Sequence, residues 1–326
     1  MQNIRWGILS TGNIAEQFAK GLAALDDATL VAVGSRSQTS ADRFGDAYNV
    51  PHRHASYEAL AADPEVDVIY VATPHPFHAE NTLLCLRAGK HVLCEKPFAI
   101  NAAQAETMVA EARTRGLFLM DAMWTRFLPH MVRIRELLDA RVIGEVRMLT
   151  ANFGFRADFD PQSRLFNLEL GGGGLLDVGI YPVALASMVL GSPQSIASQA
   201  TLGETGVDEQ TAITFRYPNG QLALLSCAIR TTTLHDAVIY GTHGHIRINP
   251  PWWSPSSLTL AVDGQAEQQF SFEQIGNGYN YEAAEVMRCI RAGETESLIM
   301  PLDETLQLMR TLDATRAQWG LVYPGE

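Results

Sequence analysis

Cysteine is scarce in this chain of 326 residues: Cys85, Cys94, Cys227 and Cys289 stand far apart, and no two form a C-x-x-C pair. The scarcity excludes a disulfide framework and a cysteine zinc site, and buried, idle thiols are the expectation. Basic residues are outnumbered, 24 Lys and Arg against 36 Asp and Glu, for a net charge of -12. Proteins that bind a nucleic-acid backbone or an anionic membrane concentrate positive charge, so neither partner is expected. Low-complexity tracts, blocks of like charge and repeats of fixed period are also missing. No apolar run reads as reaching the ~20 residues that span a bilayer, and the opening MQNIRWGILS has no basic, apolar and cleavage-site succession. A soluble, cytoplasmic protein is the expectation.

What is present is a chain too long for one hydrophobic core, which predicts two domains. From residue 4 short apolar runs alternate with helical stretches: IRWGILS, NIAEQFAKGLAAL, TLVAVGSR, DVIYVAT, HAENTLLCLRAG, HVLCE, a helix near 101–115, then LFLMDAM. This alternation predicts an α/β domain with a doubly wound parallel sheet, whose ligands bind at the carboxyl ends of the strands. The informative residues fall there.

Ser10, Thr11, Gly12, Asn13 and Ile14 end the first strand and open the first helix, where free N–H groups and the helix dipole favour a pyrophosphate. A dinucleotide fingerprint places Gly, Gly and Gly/Ala at 10, 12 and 15. Here Ser10 replaces the first glycine, so a tight turn without function competes with the binding reading. The second strand ends at Ser35-Arg36-Ser37 with no acid for the adenine ribose. A guanidinium between two hydroxyls suits a ribose 2′-phosphate and predicts NADP over NAD, against the alternative of a solvated loop arginine. Arg43 assists or lies on the surface. Thr73-Pro74-His75-Pro76-Phe77-His78 follows the DVIYVAT strand, and its histidines and prolines fit a wall of the cofactor site better than a metal site. No metal is expected anywhere. Glu95-Lys96-Pro97 closes the HVLCE strand on the same edge.

With these motifs the first half resembles the glucose-fructose oxidoreductase, inositol dehydrogenase and rhizopine-catabolism (Gfo/Idh/MocA) family of NAD(P)-dependent oxidoreductases. Ala122-Met123-Trp124-Thr125-Arg126-Phe127-Leu128-Pro129 and Gly172-Gly173-Gly174-Leu175-Leu176-Asp177-Val178-Gly179-Ile180-Tyr181 resemble its dimeric dihydrodiol dehydrogenase and NADP-dependent D-xylose dehydrogenase branch, as do ETGVDEQT and YGTHGHIRINPPWW. Ser10 is typical of that branch. The resemblance implies that Lys96 is the catalytic-site lysine beside the nicotinamide, that Glu95 shares in the cofactor site, and that Tyr181 is the proton donor. It also leaves a cis Lys96–Pro97 bond open beside the trans form.

The second half changes character, to longer alternating strands with a hairpin signal at Asn219-Gly220. The predicted organisation is a Rossmann domain over 1–123 and, over 124–326, an α+β substrate and dimerisation domain with a mostly antiparallel, open-faced sheet. The absence of a Gly/Ser spacer argues for domains closing on a shared cleft. LLDVGIYPVALASMVLG predicts a helix with Asp177 and Tyr181 four apart, and Pro182 predicts a kink or a late helix start. Alcohol oxidation needs a base for the hydroxyl proton, so the expected assignment is Tyr181 as general acid/base, Lys96 as electrostatic partner and Asp177 as orienter of substrate hydroxyls. Trp124, Arg126 and Phe155, with Phe153 and Phe166 beside them, are candidate pocket residues for a sugar or cyclic diol. A silent NADP-binding sensor is the competing class. Apolar residues on both faces of TAITFRYP and QLALLSCAIR, with the resemblance, predict a homodimer through the second domain.

Overall fold

The structure is a computed structural model and describes residues 3–326. The first half forms β1 (Ile4–Leu9), α1 (Asn13–Leu22), β2 (Ala28–Gly34), α2 (Gln38–Tyr48), β3 (His52–His54), α3 (Tyr57–Ala61), β4 (Val68–Val71), α4 (His78–Arg87), β5 (His91–Glu95), α5 (Ala102–Arg115) and β6 (Leu119–Ala122). All six strands are parallel, in the order β3-β2-β1-β4-β5-β6. The order reverses between β1 and β4, so the residues after these two strands, Ser10 and Thr73 among them, flank the switch point where such sheets take ligands. Sequence dictates the helix bounds. Asn101 caps α5 by accepting from the Gln104 N–H at 2.9 Å, and Gly116 ends it in the left-handed region at φ +63°. Trp6, Phe18 and Tyr70 anchor the core, with Phe18 stacked on Tyr70 at 3.8 Å between centroids.

The second half forms α6 (Pro129–Asp139), β7 (Val146–Gly154), a π-helical turn (Leu175–Gly179), α7 (Ile180–Leu190), β8 (Ser195–Leu202), β9 (Asp208–Arg216), β10 (Leu222–Ala228), β11 (Ala237–Gly241), β12 (Gly244–Ile248), β13 (Ser257–Val262) and β14 (Gln268–Ser271). The eight-stranded sheet runs β14-β13-β12-β11-β7-β10-β9-β8 and is antiparallel except at β7–β10. The predicted hairpin joins β9 to β10, with Gly220 at φ +84° where a side chain is disfavoured. Period-2 alternation sorts the faces: Ile213, Phe215 and Tyr217 are buried, whereas Ala212, Thr214, Leu222 and Leu224 lie on the other face and are exposed. One face is therefore covered by α7 and the loop before it, and the other is open within the chain.

A single division near residue 123 does not describe the compact units. The first unit contains the residues up to Phe127 together with Ile275–Leu306, and the second contains Leu128–Gln274 and Gln307–Glu326. The cause is a returning segment. α8 (Tyr279–Ala292) lies on α1, Asn277 donates to the Gln17 carbonyl at 2.8 Å, Arg291 pairs with Asp27 at 2.8 Å, and the Leu119 N–H reaches the Thr295 carbonyl. α9 (Leu302–Ala317) runs across the division. One expectation needs correction: the 23 residues Leu168–Leu190 contain an 18-residue window of mean hydropathy 1.6 and are long and apolar enough to cross a membrane by length and composition. That window is 72% buried within the protein, as a core helix is.

Candidate active site

At the carboxyl edge of the parallel sheet the backbone leaves room and donors for an anion. Ser10 takes φ +95°, the conformation that a glycine would otherwise supply at this turn. A methyl group at Gly12 would meet nothing within 4 Å, and Asn13 and Ile14 begin α1 with no side-chain cap over its N–H groups. Arg36 is exposed and makes no hydrogen bond or ion pair among the described residues, and Arg43 likewise. Beside Arg36 an open groove of about 660 Å³ is lined by Ser56, Tyr57, Glu80, Asn81 and Arg87. These features fit a nicotinamide dinucleotide: Ser10 to Ile14 would hold the pyrophosphate, and Arg36 stands exposed at the end of β2. Ser35 is buried, donating its N–H to the His54 carbonyl, and Ser37 caps α2 by accepting from the Ser40 N–H at 3.3 Å. The two hydroxyl residues thus shape the loop that presents Arg36.

Predicted wall residues divide in the same way. Thr73, His75 and His78 are buried, Pro74 half-buried. His78 is fully enclosed, and its two ring nitrogens lie 2.7 Å from the Pro97 and Thr73 carbonyls. Its ring therefore holds two loops together and has no surface to offer a nucleotide, which corrects the expectation of direct contact. It also fixes the turn after Lys96, where the Lys96–Pro97 bond is cis. Glu95 is buried too: it accepts from the Tyr70 hydroxyl and, at 3.0 Å, from the Lys96 N–H. Its carboxylate locks the strand end, leaving the half-buried Lys96 side chain as the charge delivered there.

Two acids that sequence reading passed over complete this corner. Asp121 and Glu282 are completely buried, and none of their carboxyl oxygens has a hydrogen-bond partner among the described residues. Burial, then the Glu95 charge, push Asp121 up to about 8, and burial with the two neighbouring acids raises Glu282 well above its ordinary value. Asp121 is the one charged residue within the apolar strand β6, the one signal that marked it. Arg126 is corrected as a pocket residue: it is buried, forks onto Glu304 at 2.5 and 3.2 Å, and donates to the Ile299 carbonyl at 3.3 Å. Trp124 stacks on Tyr279 with centroids 5.0 Å apart.

In the second unit Tyr181 sits in the first turn of α7, 8% exposed, with the Phe153 ring 5.4 Å away. Phe153 stacks on Trp253 at 3.5 Å, nearly parallel, and His235 stands edge-on to both. This aromatic shelf was read incompletely. Phe155 turns instead toward the cluster of Phe166, Val178, Val207, Cys227 and Ile229, and Phe166 is core. Trp253 and His235 were missed, since nothing local separates them from packing residues. Asp177 is paired with Arg164 at 2.8 Å, another residue without a sequence signal.

The segment that carries Asp177 and Tyr181 is shaped by an acid 30 residues away. Asp208 is fully buried; its Oδ2 accepts from the Leu175 N–H at 2.7 Å and from the Thr211 hydroxyl at 3.0 Å, tying the start of the π-helical turn to β9. Burial outweighs these bonds and pushes its pKa up to about 7. The glycine run answers this packing. At Gly173, φ is +115° and a methyl group would lie 2.4 Å from the Asp208 Oδ1, while at Gly172 it would lie 2.7 Å from the Arg164 and Leu165 carbonyls. The π-helical turn then lets the α-helix start late, at Ile180, so that Pro182 falls in its first turn, where a missing N–H costs little.

Comparison with known proteins agrees with this architecture. Residues 4–122 match the oxidoreductase family with NAD-binding Rossmann fold, and residues 131–247 match the GFO/IDH/MocA C-terminal domain. The chain is 40% identical to trans-1,2-dihydrobenzene-1,2-diol dehydrogenase of Mus musculus, over 98% of each chain, and 38% identical to that of Homo sapiens, again over 98% of each. Among solved structures it resembles the aldose-aldose oxidoreductase of Caulobacter crescentus complexed with glycerol, with a TM-score of 0.89 at 26% identity over 97% of this chain and 98% of that one. A 3-ketoreductase of Actinomadura kijaniata, in complex with NADP and TDP-benzene, gives 0.86 at 26% identity over 97% and 98%.

Proposed function

Since the chain belongs to the Gfo/Idh/MocA oxidoreductase family and is an NAD(P)-dependent dehydrogenase of CH–OH groups, we propose that it oxidises a hydroxyl of a sugar or cyclic trans-diol with NADP. The observation that carries the substrate class is the aromatic shelf of Phe153 and Trp253 beside Tyr181, with Asp177 held close by in the same segment. Ring faces suit the apolar face of a pyranose or cyclohexadiene, and a carboxylate suits hydroxyl hydrogens. Arg36, unpartnered and with no acid beside it at the end of β2, supports NADP over NAD.

When bound, the nicotinamide supplies the hydride acceptor. The chain's own work is to bind, orient and move a proton. Tyr181 takes the hydroxyl proton as general base and returns it in the reverse direction; Lys96 supplies positive charge that favours the oxyanion; Asp177, aligned by Arg164, orients the neighbouring hydroxyl. The open sheet face, where Leu224 is 45% exposed and Leu222 38%, supports a two-fold homodimer through the second unit, and light scattering that returns the 35.7 kDa of one chain would refute it. The deciding experiment is nucleotide reduction across free sugars, polyols and cyclic trans-diols, with NADP and NAD in parallel. Turnover with NADP on at least one of these classes is expected. Nucleotide binding without turnover on any of them points to a sensor instead.

A further inference from the structure

Away from the sites above, two histidines and one aspartate converge on a point at the outer edge of the parallel sheet. His52 and His54 are alternate residues of β3, so period 2 puts both rings on one face of this three-residue edge strand. The His52 Nδ1 lies 2.7 Å and the His54 Nε2 2.9 Å from the same oxygen, Oδ2 of Asp63, and the three donor atoms lie within 4.8 Å of one another. Asp63 is held for this purpose: its Oδ1 accepts from the Glu65 N–H at 2.9 Å, and its side chain is 4% exposed. Burial opposes its charge, but the Glu65 N–H and the two imidazoles hold its pKa down, at about 2.

We propose that His52, His54 and Asp63 form a binding site for a divalent transition-metal ion of the Zn²⁺ class, a departure from the sequence reading, which expects no metal. Two imidazole nitrogens and one carboxylate oxygen are the donor set that borderline ions prefer over Mg²⁺ or Ca²⁺. A tetrahedral Zn²⁺ with bonds of about 2.0–2.1 Å needs its ligands about 3.3 Å apart, so each imidazole must retreat by roughly half an ångström. The rings have that freedom, being 40% and 23% exposed, and the open side admits water as the remaining ligand. Lys90 donates to the Asp63 and Val66 carbonyls at 2.6 and 2.7 Å, so its ammonium is held on backbone oxygens and Oδ2 is met by the two histidines. The ion would clip the short strand β3 to the turn after α3. The His54 carbonyl in turn accepts the Ser35 N–H at 3.0 Å, so the clip lies directly behind the loop that presents Arg36.

The test is calorimetric titration of the untagged full-length protein with ZnCl₂ alone, beside the double variant His52→Ala/His54→Ala. One saturable Zn²⁺ per chain is expected, weakened about tenfold or more in the variant, with a zinc-dependent rise in melting temperature in the parent protein only. Should the variant fold poorly, modification of the parent by diethyl pyrocarbonate, mapped by peptide mass, gives a second reading: zinc must shield His52 and His54. No stoichiometric zinc uptake, equal uptake by a folded double variant, or shielding confined to other histidines overturns the proposal.

Discussion

The two candidate regions are built on opposite plans. At Thr11 to Ile14 and Arg36 the chain leaves donors open: uncapped N–H groups, an unpartnered guanidinium, and a glycine with nothing within 4 Å of an added methyl group. Around Gly172 to Tyr181 the segment is tied in place. Asp208 binds the first N–H of the π-helical turn, the Tyr323 hydroxyl donates to the Gly172 carbonyl at 2.8 Å, Arg164 holds Asp177, and the glycines are there because neighbours fill their Cβ positions. A surface that must grip a phosphate through backbone groups gains from leaving them solvated until the ligand arrives. A side chain that must move one proton gains from being fixed to within a fraction of an ångström. In the proposed function, openness serves nucleotide binding and constraint serves proton transfer.

That contrast is broken most directly at Tyr181. Replacing it with Phe keeps the ring against Phe153 and removes the proton, and turnover is expected to fall about 10²- to 10⁴-fold while NADP affinity stays near the parent value. Steady-state kinetics beside nucleotide titration measures both, and turnover within a few-fold of the parent removes Tyr181 from the mechanism. Lys96→Met, alone and combined with Tyr181→Phe, is expected to show losses well short of multiplicative if the two act on one step.

Constraint itself is the next target. Asp208→Ala strips the acceptor from two buried donors and is expected to cost about 2–6 kcal/mol in urea unfolding, at roughly 1–3 kcal/mol for each unsatisfied group. Asp208→Asn keeps an acceptor and is expected to recover much of this. It also changes the pH response. With the carboxyl raised from 3.8 to about 7 in the folded state, the unfolded chain ionises first, so stability declines as pH rises from about 4 to about 7 and then levels off. The Asn variant is expected to flatten that decline, and parallel curves would show that Asp208 does not titrate in this range.

Smaller effects sharpen the open side of the comparison. Arg36→Asp removes a charge-assisted phosphate contact, roughly 1.5–3 kcal/mol, and is expected to turn a preference for NADP into one for NAD. Binding titrations in which the parent already holds NAD as tightly as NADP would defeat this. Ser10→Gly relieves a non-glycine residue at φ +95°, with an expected stability gain of about 1 kcal/mol and little change in nucleotide affinity. A loss of affinity would show that the hydroxyl, and not only the turn, serves the ligand.

Much of the first unit was legible because its signals are local. The strand, turn and helix around Gly12, the missing acid before Arg36 and the strand ending in Glu95-Lys96 each lie within a few residues, and the period of apolar residues fixes which element they close. In the second unit the same reading found the Asn219-Gly220 hairpin and the alternating faces of β9 and β10, and of the kink or late helix start it offered at Pro182 the late start is seen, at Ile180. It misjudged what depends on partners far along the chain. Arg126 was read as open to a ligand and is held by Glu304; His78 was read as a wall and is a brace between Thr73 and Pro97.

The sequence by itself determined the kind of most elements, the parallel character of the first sheet and the mostly antiparallel character of the second, and it brought Gly12, Arg36 and Lys96 to the ends of strands. Tertiary structure alone decided which polar side chains remain available. Most buried polar groups find a partner, Asp121 and Glu282 being exceptions, and partners such as Asp208 for Leu175, Glu304 for Arg126, or Asp63 for His52 and His54 are chosen by strand register and helix packing. A line of residues records neither distance nor burial.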